Sequence, residues 1–397
     1  MKYTPEITCI IITNRLKLGI RIGGLMQRSK WVTIEEEILE TYIRNLSGEI
    51  VLGIDGFIDQ VWQVVETRTP DNHCILIDKM QEFGNLIVSR REGGMANELI
   101  KKRRSYGGFT ANTGKALGNM DLSTTLIGMY GKEEIDKIFH DLKEKCNLIS
   151  VGDPVVSTIL EFTDGKIMMP NLDELLKFTW NDFLSIIGQD QLQKILLNAD
   201  IVSLGYWSNM PDFDTFITKL NEDYFHTDRP RRLFFDFANI KKRSVEAINS
   251  TFRVLEKIND KIPVSLSLNE HEAVILFSYY DRNFSDDCEA VARDTEYLRN
   301  IIGLDELIIH TPQYAVLSSK TEGMELLEQD YCAAPVITTG AGDTFNGGYI
   351  AACLGNLKAA QRLAIANAAT RFYISNSHTP DRQELISEIK RIKKVLS

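Results

Sequence analysis

A glycine-rich segment followed by an aspartate is the part of this sequence best suited to chemistry. Residues 338–348 read Thr-Thr-Gly-Ala-Gly-Asp-Thr-Phe-Asn-Gly-Gly, and an apolar run of helical length begins at Tyr349. The first turn of a helix leaves N–H groups without partners and carries positive potential, so it can bind an anion. Asp343 stands beside this turn, where its carboxylate can accept a proton from an alcohol. An anion site next to a base is what phosphoryl transfer to a hydroxyl requires, although Asp343 could also be a plain helix cap.

Four other segments give this motif a context. They are residues 51–59 (Val-Leu-Gly-Ile-Asp-Gly-Phe-Ile-Asp), 107–112 (Gly-Gly-Phe-Thr-Ala-Asn), 126–131 (Leu-Ile-Gly-Met-Tyr-Gly) and 269–272 (Asn-Glu-His-Glu). Together with the first motif, and in this order, they resemble the signature segments of the ribokinase-like (PfkB) carbohydrate kinases over roughly residues 50–375. The resemblance implies an α/β protein, a ribokinase-like three-layer α/β/α sandwich with a mostly parallel central sheet and a small β-sheet lid. It also implies an enzyme that transfers the γ-phosphate of ATP to a hydroxyl of a sugar or sugar-like small molecule.

The same resemblance implies roles for individual residues. Asp343 is expected to be the catalytic base. The residues whose amides are expected to bind the transferring group are Gly340, Ala341 and Gly342. The residues expected to bind the sugar are Asp55, Asp59, Gly107, Gly108 and Asn112. The residues expected to bind the nucleotide are Thr311, Thr339 and Asn367.

A magnesium ion is expected to accompany ATP, held through water by Asn269 and Glu272, because Mg²⁺ keeps several of its waters. The residues themselves also allow plainer interpretations. The Asn269–Glu272 spacing is typical of a helix cap followed by a solvated carboxylate. Asp55 and Asp59 lie around the end of an apolar strand, where ligands bind in open α/β sheets, but an aspartate there can also form a turn or a cap.

Two departures from the family pattern concern the nucleotide and its ions. Ile337 stands where the family usually has an aspartate that helps to bind a monovalent cation, so a potassium requirement is in doubt. Residues 311–316 (Thr-Pro-Gln-Tyr-Ala-Val) lack the glycines of the usual nucleotide loop and resemble the ADP-dependent sugar kinases, whereas residues 340–345 favour ATP. An ADP-dependent sugar kinase, a nucleoside kinase and a non-catalytic ligand-binding relative therefore stay open as alternatives.

Composition narrows the class of protein. The chain has 397 residues and a net charge of −10, which argues against a nucleic-acid partner because such proteins carry basic surfaces. It contains no run of 18 apolar residues, so no membrane span is expected. Six scattered cysteines without metal-binding spacing predict free thiols in a reducing compartment, and hence a cytoplasmic protein.

The order of predicted elements divides the chain into three parts. Residues 1–48 are expected to form an N-terminal extension with a helix, for which Thr33 and Glu36 suggest a capping box. Residues 49–380 are expected to form the kinase domain, with the lid at about 57–106 and 154–172. Residues 381–397 are expected to form a C-terminal helix. Strands and helices alternate after residue 195, which predicts parallel strands with helices on both faces. The open edges of the lid strands suggest a possible homodimer through the lid.

Overall fold

The computed structural model describes residues 29–90, 93–225 and 229–396. Its strands are β1 (Glu49–Gly53), β2 (Phe57–Arg68), β3 (Cys74–Leu76), β4 (Leu99–Gly107), β5 (Ser123–Gly128), β6 (Asn147–Ser150), β7 (Val155–Phe162), β8 (Gly165–Pro170), β9 (Ile201–Gly205), β10 (Arg232–Asp236), β11 (Val264–Asn269), β12 (Glu306–His310), β13 (Tyr314–Ser319) and β14 (Gly323–Glu328). Its α-helices are α1 (Glu36–Arg44), α2 (Met80–Ser89), α3 (Phe109–Asn119), α4 (His140–Lys143), α5 (Asp173–Lys177), α6 (Trp180–Ile187), α7 (Gln189–Leu197), α8 (Phe213–Asp223), α9 (Val245–Asn259), α10 (Glu270–Tyr279), α11 (Cys288–Ile302), α12 (Ala341–Ala352), α13 (Ala359–Asn376) and α14 (Arg382–Leu396).

Nine strands form the central sheet in the order β14-β13-β12-β11-β10-β9-β1-β5-β6. Every neighbouring pair from β12 to β6 is parallel, and β13 and β14 add an antiparallel hairpin at one edge. Parallel neighbours require long crossover connections, which explains the alternation of strands and helices in the sequence. The carboxyl ends of the parallel strands therefore meet at one edge of the sheet, where ligands bind in such folds.

Helices cover both faces of this sheet, as predicted. Successive side chains of a strand point to opposite faces, so Leu52 and Phe234 belong to the core cluster shared with α3, α12, α13 and α14. Their neighbours Val51 and Phe235 belong to the opposite cluster, which α6 to α11 cover. The strands are apolar on both faces because both are buried. The three-layer α/β/α architecture is confirmed.

A second, smaller sheet lies beside the carboxyl edge of the first. Its long strand β2 pairs with β4 on one side and runs parallel to β7 on the other, β8 follows β7 as a hairpin, and β3 pairs with the far end of β2. Thr163 and Asp164 form the two-residue turn of this hairpin, and Gly165 begins β8. We call these five strands the small sheet; they lie at the two ranges predicted for the lid.

The prediction of a capping box at the N-terminal helix was wrong. Thr33 ends a short 3₁₀ helix (Lys30–Thr33) and donates its hydroxyl to the carbonyl of Lys30 at 2.7 Å. The extended and buried Ile34 separates it from α1, whose N-cap is Glu35. The first 28 residues of the predicted extension lie outside the described residues. None of the helices described has the length and hydropathy needed to span a bilayer.

Candidate active site

The bend before α12 presents backbone amides toward the carboxyl edge of the sheet. Gly340 has a φ of 84°, a left-handed conformation that suits glycine, and α12 begins at the next residue. In the described part of the chain, the amides of Gly340, Gly342 and Asp343 have no acceptor and are available to an anion. The amide of Ala341 instead donates to the carbonyl of Thr338 at 3.2 Å. The anion-binding role predicted for Ala341 stays a prediction, and the amide of Asp343, which was not predicted, is a further free donor at the bend.

The side chain of Asp343 lies against α3. Asn112 donates from Nδ2 to Oδ2 of Asp343 at 2.8 Å, and the hydroxyl of Thr113 donates to the Asp343 carbonyl at 3.2 Å. The structure thus brings Asp343, the predicted base, into contact with Asn112, a residue predicted to bind the sugar. Burial raises the pKa of Asp343 to about 8, and the nearby charge of Asp236 is the next cause. This carboxyl group holds its proton tightly until a cation or a higher pH removes it.

Asp236, at the end of β10, connects the sheet edge to α12. Its Oδ1 accepts the amide of Ala238 at 2.8 Å, and its Oδ2 accepts Nδ2 of Asn346 at 2.7 Å. Burial raises the pKa of Asp236 to about 6. Asn346 was not predicted as a site residue, although its place one helical turn after Asp343 was the signal that could have found it.

The carboxylate of Asp55 is engaged by amides of the protein itself, and the sugar-binding role predicted for this residue stays a prediction. Its side chain is fully buried, and its two carboxylate oxygens accept the amides of Phe109 and Thr110, each at 2.8 Å. It therefore caps α3 from the loop between β1 and β2, the alternative that the residues themselves allowed. Gly108 has a φ of 94°, and a Cβ there would stand 2.7 Å from Oδ2 of Asp55, which explains the glycine.

Asp59 remains open to the cleft between the two sheets. It is half-buried on β2, and a Cβ on Gly107 would lie 2.8 Å from its Oδ2. Burial raises the pKa of Asp59, while the positive charges of Lys166 and Arg103 act against that shift. Lys166, on β8, also donates to the hydroxyl of Thr339. A lysine of the small sheet therefore contacts the bend that carries the free amides.

Asn269 and Glu272 form a capping box at the start of α10. Asn269 accepts the amide of Glu272 and Glu272 accepts the amide of Asn269, both at 3.0 Å. Contrary to the plain alternative, Glu272 is buried, and burial together with the charges of Asp236 and Asp343 raises its pKa well above the ordinary value. In the described residues no three acidic, histidine or cysteine side chains are arranged to hold a metal directly. The residues present fit a cation that keeps its waters.

Known proteins identify the family to which this chain belongs. The model of the family described as prokaryotic ketohexokinase matches residues 32–391. The chain belongs to the prokaryotic ketohexokinase family. It is a carbohydrate kinase with the ribokinase-like fold, and the resemblance to PfkB kinases is confirmed. A ketohexokinase of Haloferax volcanii is 24% identical over 342 residues, which cover 85% of this chain and 90% of that protein.

Solved structures agree on the fold of this kinase. Ribokinase of Arabidopsis thaliana, complexed with ribose and ATP, has a TM-score of 0.61 at 16% identity and covers 87% of this chain and 99% of its own. A putative ribokinase II of E. coli, in complex with ATP and Mg²⁺, has a TM-score of 0.58 at 16% identity and covers 87% and 100%. At such identities the likeness shows the fold alone.

Two of the residues predicted to bind the nucleotide in this kinase have side chains that contact the protein itself. The hydroxyl of Thr311 accepts the amides of Gln313 and Tyr314, each at 3.1 Å, and donates to the carbonyl of Tyr314 at 3.0 Å. It forms the turn between β12 and β13 and has no capacity left for a nucleotide. Asn367 is 1% exposed and lies 3.5 Å from the carbonyl of Glu328. The nucleotide contacts predicted for Thr311 and Asn367 stay predictions; the Oδ1 of Asn367 is buried without a partner among the described residues, whereas Thr339 is exposed at the bend.

Three aromatic residues of the kinase site escaped the sequence reasoning. Tyr206 follows β9 in a left-handed conformation with a φ of 59°, backbone strain of the kind that collects at functional sites. His310 ends β12, stacks on Phe345 at 4.5 Å, and is kept neutral because burial lowers its pKa to about 4. Tyr373 donates to the carbonyl of Thr339 at 2.6 Å. The position of Tyr206 and His310 at strand ends was the available signal.

Proposed function

We propose that this kinase transfers the γ-phosphate of ATP to a hydroxyl of a ketohexose. One observation carries the proposal: the hydrogen bond from Asn112 to Asp343, beside three free amides at the start of α12. It joins a group that can hold a sugar hydroxyl, a group that can take its proton and a site for the transferring phosphoryl group. The family match supports the substrate class.

The acceptor sugar is placed between the carboxyl edge of the central sheet and the small sheet, which acts as a lid. Asp59 and Asn112 bind its hydroxyls, and Gly107 and Gly108 allow its close approach. The hydroxyl oxygen attacks the γ-phosphorus, the bond from phosphorus to the oxygen shared with ADP breaks, and the proton passes to Asp343. The amides of Gly340, Gly342 and Asp343 bind the oxygens of the transferring group.

Asn269 and Glu272 would hold the waters of Mg²⁺, which supplies positive charge to the phosphates when it is bound with ATP. The buried acidic field of Glu272 and Asp236 favours a cation at this edge. The same field keeps Asp343 protonated in the free protein, so binding of a cation prepares it to act as a base.

Lys166 contributes from the small sheet. Its contact with Thr339 places a positive charge beside the anion site when the two sheets are close. Closure of the lid over sugar and nucleotide would also keep water from the phosphoryl group. We further propose a cytoplasmic enzyme; the five cysteines in the described residues are free thiols. Pairing of two lids in a homodimer stays a prediction.

The first test is a phosphorylation assay over ketohexoses, aldoses and nucleosides, with ATP or ADP as the donor. We expect turnover of a ketohexose with Mg·ATP. Asp343→Asn should lower that turnover about 10²–10⁴-fold, the usual contribution of a positioned base, while sugar binding by calorimetry persists.

The matched control is Asp121→Asn, since Asp121 is an exposed aspartate in a left-handed conformation that asparagine also tolerates. Its turnover should equal that of the wild type. An Asp343→Asn variant with unchanged turnover would remove Asp343 from the role of base. Turnover of nucleosides alone, or with ADP alone, would replace the proposed substrate or donor.

A further inference from the structure

A row of polar side chains crosses the small sheet at its base. In the strand register, Asp59 of β2 stands opposite Ser105 of β4 on one side and opposite Ser157 of β7 on the other. Residues directly opposite one another in a sheet point to the same face. The three side chains therefore share one face of the small sheet.

That face is the one that looks into the cleft. The carboxylate of Asp59 lies against Gly107, the glycine that leads into α3, and its charge contributes to the raised pKa of Asp343. Ser157, Ile159 and Glu161 are alternate residues of β7, so their side chains lie on one face of the small sheet. Lys166 of β8 stands opposite Glu161, shares that face, and contacts the bend at Thr339. Ser157 thus points toward the region between Asp59 and the anion site.

The hydroxyl of Ser157 has no partner. The residue is 1% exposed, and its Oγ is buried without a hydrogen bond to any described residue. Burying a hydroxyl without a bond costs free energy, and most buried hydroxyls in folded proteins find a partner. An unsatisfied hydroxyl next to a cleft carboxylate is what a polyol site looks like before the polyol binds.

We propose that Ser157 is a sugar-binding residue that determines specificity. Its hydroxyl bonds one hydroxyl of the acceptor while Asp59 bonds a neighbouring one, so the pair recognises two adjacent hydroxyls of the sugar. The inference rests on the proposed function, which it deepens by naming a contact from the lid. Because a site built around a hydroxyl rejects an analogue without it, Ser157 selects among sugars that differ at that carbon.

The test pairs Ser157→Ala with deoxy sugars. With the parent ketohexose, the variant should raise the KM for sugar about tenfold, with kcat changed less than about twofold and the KM for ATP unchanged. Among the monodeoxy ketohexoses, one analogue should give the same kcat/KM with wild type and variant, because the lost hydroxyl and the lost serine are partners.

The matched control is Ser203→Ala. Ser203 is equally buried and its hydroxyl equally lacks a partner, but it lies within β9 of the central sheet. Its KM for sugar should not change. Both variants remove a hydroxyl that forms no bond within the protein, so their melting temperatures should stay near that of the wild type.

The possible failures are distinct. A wild-type enzyme that neither binds nor phosphorylates any sugar overturns the proposed function and this inference together. A wild type that phosphorylates a ketohexose, with the same KM after Ser157→Ala, overturns only the inference. A penalty that persists with every deoxy analogue assigns Ser157 a structural role and also overturns it.

Discussion

Buried carboxylates have opposite electrostatic surroundings at the two ends of the central sheet. At the amino end of β12, Glu306 is held by Arg362 at 2.6 Å and by Arg232 at 2.8 Å, and it also accepts the hydroxyls of Ser265 and Tyr349. Burial alone would raise its pKa, but the two guanidinium groups bring that pKa below the ordinary value.

At the carboxyl end, Asp236, Glu272 and Asp343 share one region, and none of them forms an ion pair with another described residue. Burial raises the pKa of all three, and repulsion by neighbouring carboxylates adds to the shift at Glu272 and Asp343. A buried acid therefore has two different effects in this protein. Glu306, paired with arginines, fixes α12 and α13 to the sheet. The unpaired acids lower the stability of the folded protein and favour binding of a proton or a cation, which a substrate complex can supply.

The largest expected effect would break the paired end. Glu306→Gln removes the charge between Arg232 and Arg362 and leaves each guanidinium group with a single carboxylate, Asp305 for Arg232 and Glu322 for Arg362. We expect the free energy of unfolding to fall by about 3 kcal/mol, the low end for a broken buried pair, because these two carboxylates still balance part of the stranded charge. Urea unfolding measures this change.

The control for that experiment is Glu325→Gln, which removes an exposed pair with Lys30. It should alter the free energy of unfolding by less than about 1 kcal/mol, since water screens such pairs. A Glu306→Gln variant as stable as this control would contradict the contrast between the two ends. Folded Glu306→Gln should keep the wild-type KM for sugar, because the residue lies at the far end of the sheet.

A smaller effect of opposite sign is expected at the unpaired end. The folded pKa of Asp343, about 8, exceeds the ordinary value near 3.8. Below about pH 4 the group is protonated in both the folded and the unfolded state, and its stabilising effect is fully present. As the pH rises toward 8, the unfolded chain loses the proton first and this stability is lost.

Asp343→Asn is neutral at every pH, so the variant should be more stable than the wild type by about 2 kcal/mol at pH 9 and by much less at pH 5. The expected gain is smaller than the full pKa shift implies, because Asp343 is partly exposed and its charge is screened. Thermal unfolding at the two pH values measures it, with Asp121→Asn again as the control. An Asp343→Asn variant less stable than the wild type at pH 9 would contradict the expectation that the charged carboxylate of Asp343 destabilises the folded protein.

The smallest expected effect concerns Lys166, which reaches the bend from the small sheet. Lys166→Ala should lower kcat with Mg·ATP about tenfold, a modest loss because the side chain is exposed and screened by salt. The free energy of unfolding should not change. Lys219→Ala, on the distant surface of α8, serves as the control. Loss of stability without loss of kcat would show that Lys166 acts as a structural tie.

Sequence reasoning succeeded where local pattern and chemistry coincide. The glycine bend, Asp343 and the helix after it are contiguous, so the motif itself specifies their geometry. The apolar strands separated by helical segments likewise specify a parallel sheet, because each crossover must return the chain to the same edge. Local pattern cannot assign a side chain to a partner far along the chain. Asp55 was expected to bind sugar, and no local spacing indicated that its oxygens accept the amides of Phe109 and Thr110.

The sequence by itself determined the fold class and predicted the base and the anion-binding bend, since these depend on hydrophobic periodicity and on one short segment. Only the tertiary structure decided which carboxylates are free to act. Asp55 and Asp343 are both aspartates at the sheet edge, yet one is satisfied by a helix start and the other faces like charges. The reason is physical, because the role of a carboxylate depends on the donors and charges around it. Folding brings those groups from distant segments: the donor Phe109 is 54 residues from Asp55, and the donor Asn112 is 231 residues from Asp343.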